Sequence, residues 1–123
     1  SRDAYHKTVS SRKEYRDNID YLTKVMLHNG SRVILNTLPG VQEEEAEAAY
    51  AHMNWTISNA EIRRRNEDIR EIARRNHCAL NDLEKSLAEF DKPVNLEKNG
   101  VLLTKEAQLY IAENFMEILL QQL

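Results

Sequence analysis

The side chains that most often carry catalysis or bind metals are few in this 123-residue chain, and they are scattered along it. No two histidines have the i,i+4 spacing that places a pair of metal ligands on one helix face, and a zinc site needs three or four convergent ligands. The histidines and the single cysteine are His6, His28, His52, His77 and Cys78. The sequence therefore predicts neither a metal site nor a bound cofactor.

Nucleophilic catalysis has equally little support in the residue pattern. None of the serines lies in the Gly-x-Ser-x-Gly context of a nucleophile elbow; they are expected at helix caps or in the N-terminal loop. Cys78 follows His77, and the pair is most simply interpreted as the start of a strand that carries a small buried thiol. One cysteine cannot form an internal disulfide, which fits a reducing compartment such as the cytoplasm without establishing it.

Two charged stretches could bind ligands, and each also has a structural interpretation. The four glutamates within residues 43–47 could hold a cation, or they could form the solvated face of an acidic loop or a short helix. The arginines of residues 63–75 could contact RNA, but the aromatic or glycine residues that separate arginines in such segments are absent. Acidic residues alternate with these arginines, and the net charge is −3. We expect a salt-bridged surface helix and no nucleic-acid partner.

The hydrophobic pattern predicts the elements that position these residues. Three amphipathic helices are expected: over residues 11–29, from Ser58 onward, and after Thr104. Ser58 and Glu61 have the spacing of a capping box. Residues 32–38 and 77–80 are predicted to be short strands, and residues 83–90 a brief helix. No apolar run approaches the roughly 18 residues that a membrane span requires, so no span is expected.

Two of these helices carry apolar stripes that are expected to face inward. The stripe of the first helix consists of Tyr15, Ile19, Leu22, Val25 and Met26. The stripe of the last helix consists of Ala107, Tyr110, Ile111, Phe115, Ile118 and Leu119. Because helices and strands alternate along the chain, the sequence predicts one α/β domain over residues 1–123, with few short parallel strands and four or more helices.

The order and the residue patterns of five segments resemble the C-terminal half of the SGNH (GDSL-type) hydrolases. Residues 15–19 read Tyr-Arg-Asp-Asn-Ile, and residues 33–39 read Val-Ile-Leu-Asn-Thr-Leu-Pro, like the helix and strand that follow one another in that family. Residues 66–73 match its Asn-x-x-Ile-x-x-x-Ala helix, and residues 82–83 match its Asp-Leu. Residues 99–104, Asn-Gly-Val-Leu-Leu-Thr, resemble its final Asp-Gly-Val-His-Leu-Thr motif.

This resemblance implies a partial three-layer α/β/α, flavodoxin-like fold without the family's chemistry. The Asp and His of the final motif complete a Ser-His-Asp triad in the family, but the matching positions here are Asn99 and Leu102. The Gly-Asp-Ser block that carries the nucleophile and the Gly-x-Asn-Asp block that supplies oxyanion donors have no counterpart, and the likeness is expected to begin after them. Ester hydrolysis needs a base beside a serine and donors for the oxyanion. We therefore expect no catalytic residue in this chain.

Three interpretations remain open at this stage. The first is an SGNH esterase-like domain that is catalytically inactive as presented, although whether it is an enzyme stays undecided. The second is a non-catalytic interaction or scaffold module of α/β fold. The third is an unrelated domain whose likeness to the family arose by chance. A half-sheet would expose a strand edge along residues 33–38, so self-association or docking of a complementary protein segment is expected.

Overall fold

The computed structural model describes residues 11–53, 58–92 and 100–123. This part of the chain contains five α-helices and two β-strands. In chain order they are α1 (Arg12–His28), β1 (Ile34–Asn36), α2 (Glu43–Tyr50), α3 (Asn59–Arg75), β2 (Ala79–Asn81), α4 (Leu83–Ala88) and α5 (Lys105–Gln122), with a single 3₁₀ turn, Ala51–Met53, after α2. The acidic stretch thus forms the short helix α2, one of its two predicted alternatives.

The two strands form a parallel sheet, which confirms the predicted α/β class. Ile34 pairs with Ala79, Leu35 with Leu80, and Asn36 with Asn81. Parallel neighbours need a crossover connection, and here α2 and α3 lie between the strands in the chain. Both strands are shorter than predicted. Beyond β1, the backbone N–H and carbonyl of Leu38 hydrogen-bond to the side chain of Asn66 instead of to a neighbouring strand.

Polar caps fix where the long helices begin, as the sequence predicts. The hydroxyls of Ser11, Ser58 and Thr104 each accept a hydrogen bond from a backbone N–H in the first turn. One further cap comes from outside its helix: the carboxylate of Glu43 accepts a hydrogen bond of 2.6 Å from the backbone N–H of Asn59. Glu43, part of the acidic stretch, therefore joins α2 to the start of α3.

The apolar stripe predicted for α1 is wrong about which side chains are buried. Thr23 is the buried residue of this helix, at 1% exposure, and its hydroxyl is satisfied by the carbonyl of Ile19. Leu22, Val25 and Met26 are 38–50% exposed. The face of α1 that packs on α3 lies to one side of the predicted stripe, so several of its large apolar residues contact solvent.

The interpretation of His77 as a strand start is also wrong. His77 has φ = 54°, in the left-handed region, and its backbone N–H donates to the carbonyl of Arg74. It therefore lies in the turn that ends α3, two residues before β2 begins. Non-glycine residues adopt this conformation uncommonly, and histidine is among the more tolerant.

Helix α3 supplies more of the core than any other described element, and it packs against both strands and α1. Its inner face carries Ile62, Ile69, Ile72 and Ala73, all at most 4% exposed. Arg65 lies on the same side, at 3% exposure, with its guanidinium 4.7 Å from the ring centroid of Tyr15 and within 3.3 Å of the Glu61 carboxylate. The buried charge is thus placed between an aromatic face and an acid.

Candidate functional site

The carboxyl ends of the two parallel strands bring Thr37 and Asp82 together. In open α/β sheets this edge is where ligands bind. The Thr37 hydroxyl donates to Asp82 Oδ1 at 3.0 Å and accepts from the backbone N–H of Glu84 at 3.0 Å. Asp82 also caps α4 by accepting from the backbone N–H of Lys85. The strand ends and the start of α4 are therefore joined by one set of hydrogen bonds.

Arg70 of α3 closes this network with two carboxylates. Its Nε and Nη2 donate to the two oxygens of Asp82 at 2.8 and 3.0 Å, and Nη2 donates to Glu84 at 2.7 Å. The hydrogen bond from Arg70 lowers the pKa of Asp82 below its ordinary value, and the same bond raises the pKa of Arg70. Asp82 is thus held ionised and fully bonded, which suits it to holding the fold together and not to moving protons.

Two asparagines of α3 hold the extended segment that leaves β1. Asn66, fully buried, accepts from the backbone N–H of Leu38 at 2.6 Å and donates to the carbonyl of Leu38 at 2.8 Å. Asn59 makes the same pair of bonds with Val41, both at 2.8 Å. From Asn59 to Asn66 the helix rises about 10.5 Å over seven residues. From Leu38 to Val41 an extended chain spans about 10 Å over three residues, so the two spacings match. Each side-chain amide therefore supplies the acceptor and the donor that a neighbouring strand would supply.

The described part of the residue 99–104 motif lies against this same segment. The backbone N–H of Gln42 donates to the carbonyl of Gly100 at 2.9 Å, and Val101 packs against Val41 and Ile62. Gly100 has φ = 70°, and a Cβ there would lie 2.6 Å from the carbonyl oxygen of Gln42. Both the conformation and the close approach require glycine. The loop before α5 is therefore placed beside the chain that emerges from the carboxyl end of β1.

Of the two positions that correspond to the family's catalytic Asp and His, one lies outside the described residues and the other is exposed. Asn99 lies outside the described residues. Leu102 is 53% exposed, in the loop just before α5. An aliphatic side chain there offers neither an acceptor for a proton nor a donor for an anion. The proposal that neither position is catalytic remains a prediction.

Other reactive side chains do not converge in the described ranges. His28, His52 and His77 are exposed at separate places, whereas His6 lies outside those ranges. Among the residues with described positions, no group of three His, Cys, Asp or Glu side chains could hold a metal ion. Cys78 is half-buried, and its burial raises the pKa of the thiol, which disfavours the nucleophilic thiolate. None of the described helices is long and apolar enough to cross a bilayer.

An open cleft of about 340 Å³ lies beside this network, which places it at the low end of the range for ligand pockets. Its lining comes from the segment after β1 and from the facing sides of α3 and α4. The residues are Gly40, Val41, Gln42, Asn59, Arg63, Glu84, Leu87 and Ala88. Val41 and Leu87 are buried, so the base of the cleft is apolar, whereas Arg63 and Glu84 supply charge.

Sequence reasoning missed most of these side chains. Asn66 stands at the i+4 position from Ile62 and the i−3 position from Ile69, on the buried stripe of α3, and a polar residue on such a stripe signals a specific partner. Thr37 lies at the end of one predicted strand and Asp82 comes shortly after the other, which is a signal for a site at the sheet edge. The partners of these polar groups lie 12 to 47 residues away along the chain, beyond the reach of local pattern.

Structural comparison finds a known protein that resembles this chain, whereas the sequence comparisons find none. No family model matches the chain, and no curated protein matches it. A solved structure that resembles it is the crystal structure of LAE5, an α/β hydrolase enzyme from the metagenome of Lake Arreo, Spain, with a TM-score of 0.63 and 18% sequence identity. The match covers 91% of this chain but 49% of LAE5, so the chain spans about half the length of that enzyme. The likeness establishes a hydrolase-like α/β fold.

Proposed function

We propose that this chain is an SGNH-type hydrolase domain, in its C-terminal half, that carries the fold without the family's catalytic chemistry. The observation that carries the proposal is the loop before α5. Its glycine is required by a positive φ and a close contact, and its threonine caps α5, as the motif would demand. The position of the family's base, in contrast, holds the exposed Leu102. The scaffold of the motif is kept and its reactive group is replaced.

The test is hydrolysis of a short-chain aryl ester by the purified chain, together with labelling by a fluorophosphonate. We expect no turnover above the buffer rate and no labelled serine, because a serine without a paired base is a weak nucleophile. Turnover with one labelled serine, abolished when that serine is replaced by alanine, would contradict the proposal. A mock purification from cells that lack the protein controls for contaminating esterase, and a heat-denatured sample controls for non-specific labelling.

A non-catalytic interaction role is the second candidate, and exposed apolar surface favours it. Tyr21, Leu22, Val25 and Met26 form one exposed face of α1. Helix α5 and its C-cap carry a second such face, with Leu109, Met116, Leu120 and Leu123 between 51 and 85% exposed. A two-stranded sheet also leaves strand edges that can pair with another chain. We propose self-association, or docking of a complementary segment, through these surfaces.

Sedimentation of wild-type protein and of a Leu22→Glu, Met26→Glu variant tests this second role. Both side chains are exposed, so their replacement leaves the core intact and should keep the circular dichroism spectrum unchanged. We expect concentration-dependent association of the wild type that the variant weakens at least tenfold. A wild-type chain that stays monodisperse and monomeric up to high micromolar concentration would contradict self-association. A Glu44→Leu variant, altered on the exposed acidic face of α2, controls for general surface effects.

A further inference from the structure

The cleft beside the sheet edge combines an apolar base with one charged group of each sign. Val41 and Leu87, both at most 9% exposed, lie at its base. Arg63, from the exposed side of α3, and Glu84, from the first turn of α4, contribute the charges. Small-molecule sites commonly have this composition, with apolar walls for affinity and a few polar groups for orientation.

The two charges do not neutralise each other. Within the described chain Arg63 forms no ion pair, although its neighbours Arg64 and Arg65 both pair with Glu61. Glu84 Oε1 accepts from Arg70, but Arg70 also holds the carboxylate of Asp82. One guanidinium thus pairs with two carboxylates, so it only partly neutralises the Glu84 carboxylate that lines the cleft. The cleft offers a positive group and a negative wall to the same ligand.

We propose that this cleft binds a small zwitterion with an apolar side chain, the chemical class of a free aliphatic α-amino acid. Its carboxylate contacts the Arg63 guanidinium, its ammonium contacts the Glu84 carboxylate, and its side chain covers Val41 and Leu87. A ligand with one charge satisfies one wall and leaves the other unmatched. The inference stands on the cleft alone and goes beyond the proposed hydrolase ancestry.

Leucine and two derivatives with the same side chain test the charge requirement. N-acetyl-leucine keeps the carboxylate and removes the positive charge, whereas leucinamide keeps the ammonium and removes the negative charge. Binding is followed by the amide resonances of Gln42, Leu87 and Ala88 in ¹⁵N-labelled protein. Because exposed ion pairs contribute modestly, we expect leucine to bind about fivefold more tightly than either derivative. Equal affinities, or tighter binding of a derivative, would overturn the proposal.

Matched variants assign each charge to its residue. Arg63→Gln should reduce leucine binding about fivefold and leave leucinamide binding unchanged, whereas Glu84→Gln should reduce leucine binding and leave N-acetyl-leucine unchanged. Arg64→Gln and Glu89→Gln make the same changes in net charge outside the cleft and should have no effect. If the control variants weaken binding as much as the cleft variants do, or if Arg63→Gln has no effect, the site is not the one proposed. If the ester-hydrolase proposal proved wrong, all these binding expectations would be unchanged.

Discussion

Replacing Asn66 by alanine should be among the costliest single polar substitutions in the described chain. The change removes both partners of the Leu38 peptide groups, an N–H bonded at 2.6 Å and a carbonyl bonded at 2.8 Å. A buried polar group that loses its partner costs about 1–3 kcal/mol. Leu38 is only partly covered, so we take the lower half of that range for each group and expect a loss of about 3 kcal/mol. For a domain of this size, that corresponds to a fall of roughly 10 °C in Tm.

Asn59→Ala is the matched control, because it removes the same two kinds of bond from Val41. Val41 is itself buried, but Val41 and Asn59 both line the open cleft, where water can replace the amide, so we expect a smaller loss of about 1 kcal/mol. Urea denaturation followed by circular dichroism measures both free energies of unfolding, and an unchanged m-value would confirm that the denatured states are comparable. A loss below 1 kcal/mol for Asn66→Ala, or equal losses for the two variants, would refute the argument that burial sets the cost.

Further predictions concern Gly100, Asp82 and Arg70. Gly100→Ala should lower the free energy of unfolding by about 3 kcal/mol, from left-handed strain plus the clash with Gln42, whereas Gly30→Ala, at φ = 86° in open space, should cost about 1 kcal/mol; urea titration compares them. Arg70 lowers the pKa of Asp82 in the folded state. The ionised Asp82 carboxylate therefore contributes to stability above its unfolded-state pKa, and this contribution is lost as the pH falls through its folded-state pKa. Asp82→Asn should therefore be less stable than wild type at pH 7, with a gap that narrows toward pH 2; a gap independent of pH would contradict this. Arg70→Lys keeps the charge but loses the paired geometry, and a cost of about 1 kcal/mol is expected in the same assay.

Local sequence rules predicted the helices and the parallel arrangement well, because caps and periodicity are properties of neighbouring residues. Ser11, Ser58 and Thr104 cap helices as expected. The buried face of α1 was predicted wrongly because an apolar stripe shows which residues could be buried and not how much partner surface exists. Thr23 takes the central place by bonding its hydroxyl within its own helix.

The candidate site was harder to predict than the fold because its residues act through distant partners. Nothing in the sequence around Asn66 reveals that its amide pairs with Leu38, and the role of Asp82 depends on Arg70, twelve positions earlier. The resemblance to a known motif directed attention to residues 99–104, where Asn99 is outside the described residues and Leu102 is exposed. The charged cleft is lined in part by residues 40–42 of the segment after β1, and none of its lining residues belongs to that motif.

The contacts of Asn59 with Val41 and of Asn66 with Leu38 constrain the number of residues between them more than the identity of those residues. An insertion of one residue between Asn59 and Asn66 would turn the second amide by about 100° around the helix axis and raise it by about 1.5 Å, away from Leu38. An insertion between Leu38 and Val41 would shift one contact by about 3.3 Å and reverse the direction of the side chains that follow. Most substitutions at exposed positions between the contacts leave both amides in place. Loop engineering should therefore treat residues 38–41 and α3 as a fixed-length unit that accepts new side chains at its exposed positions but does not accept inserted residues.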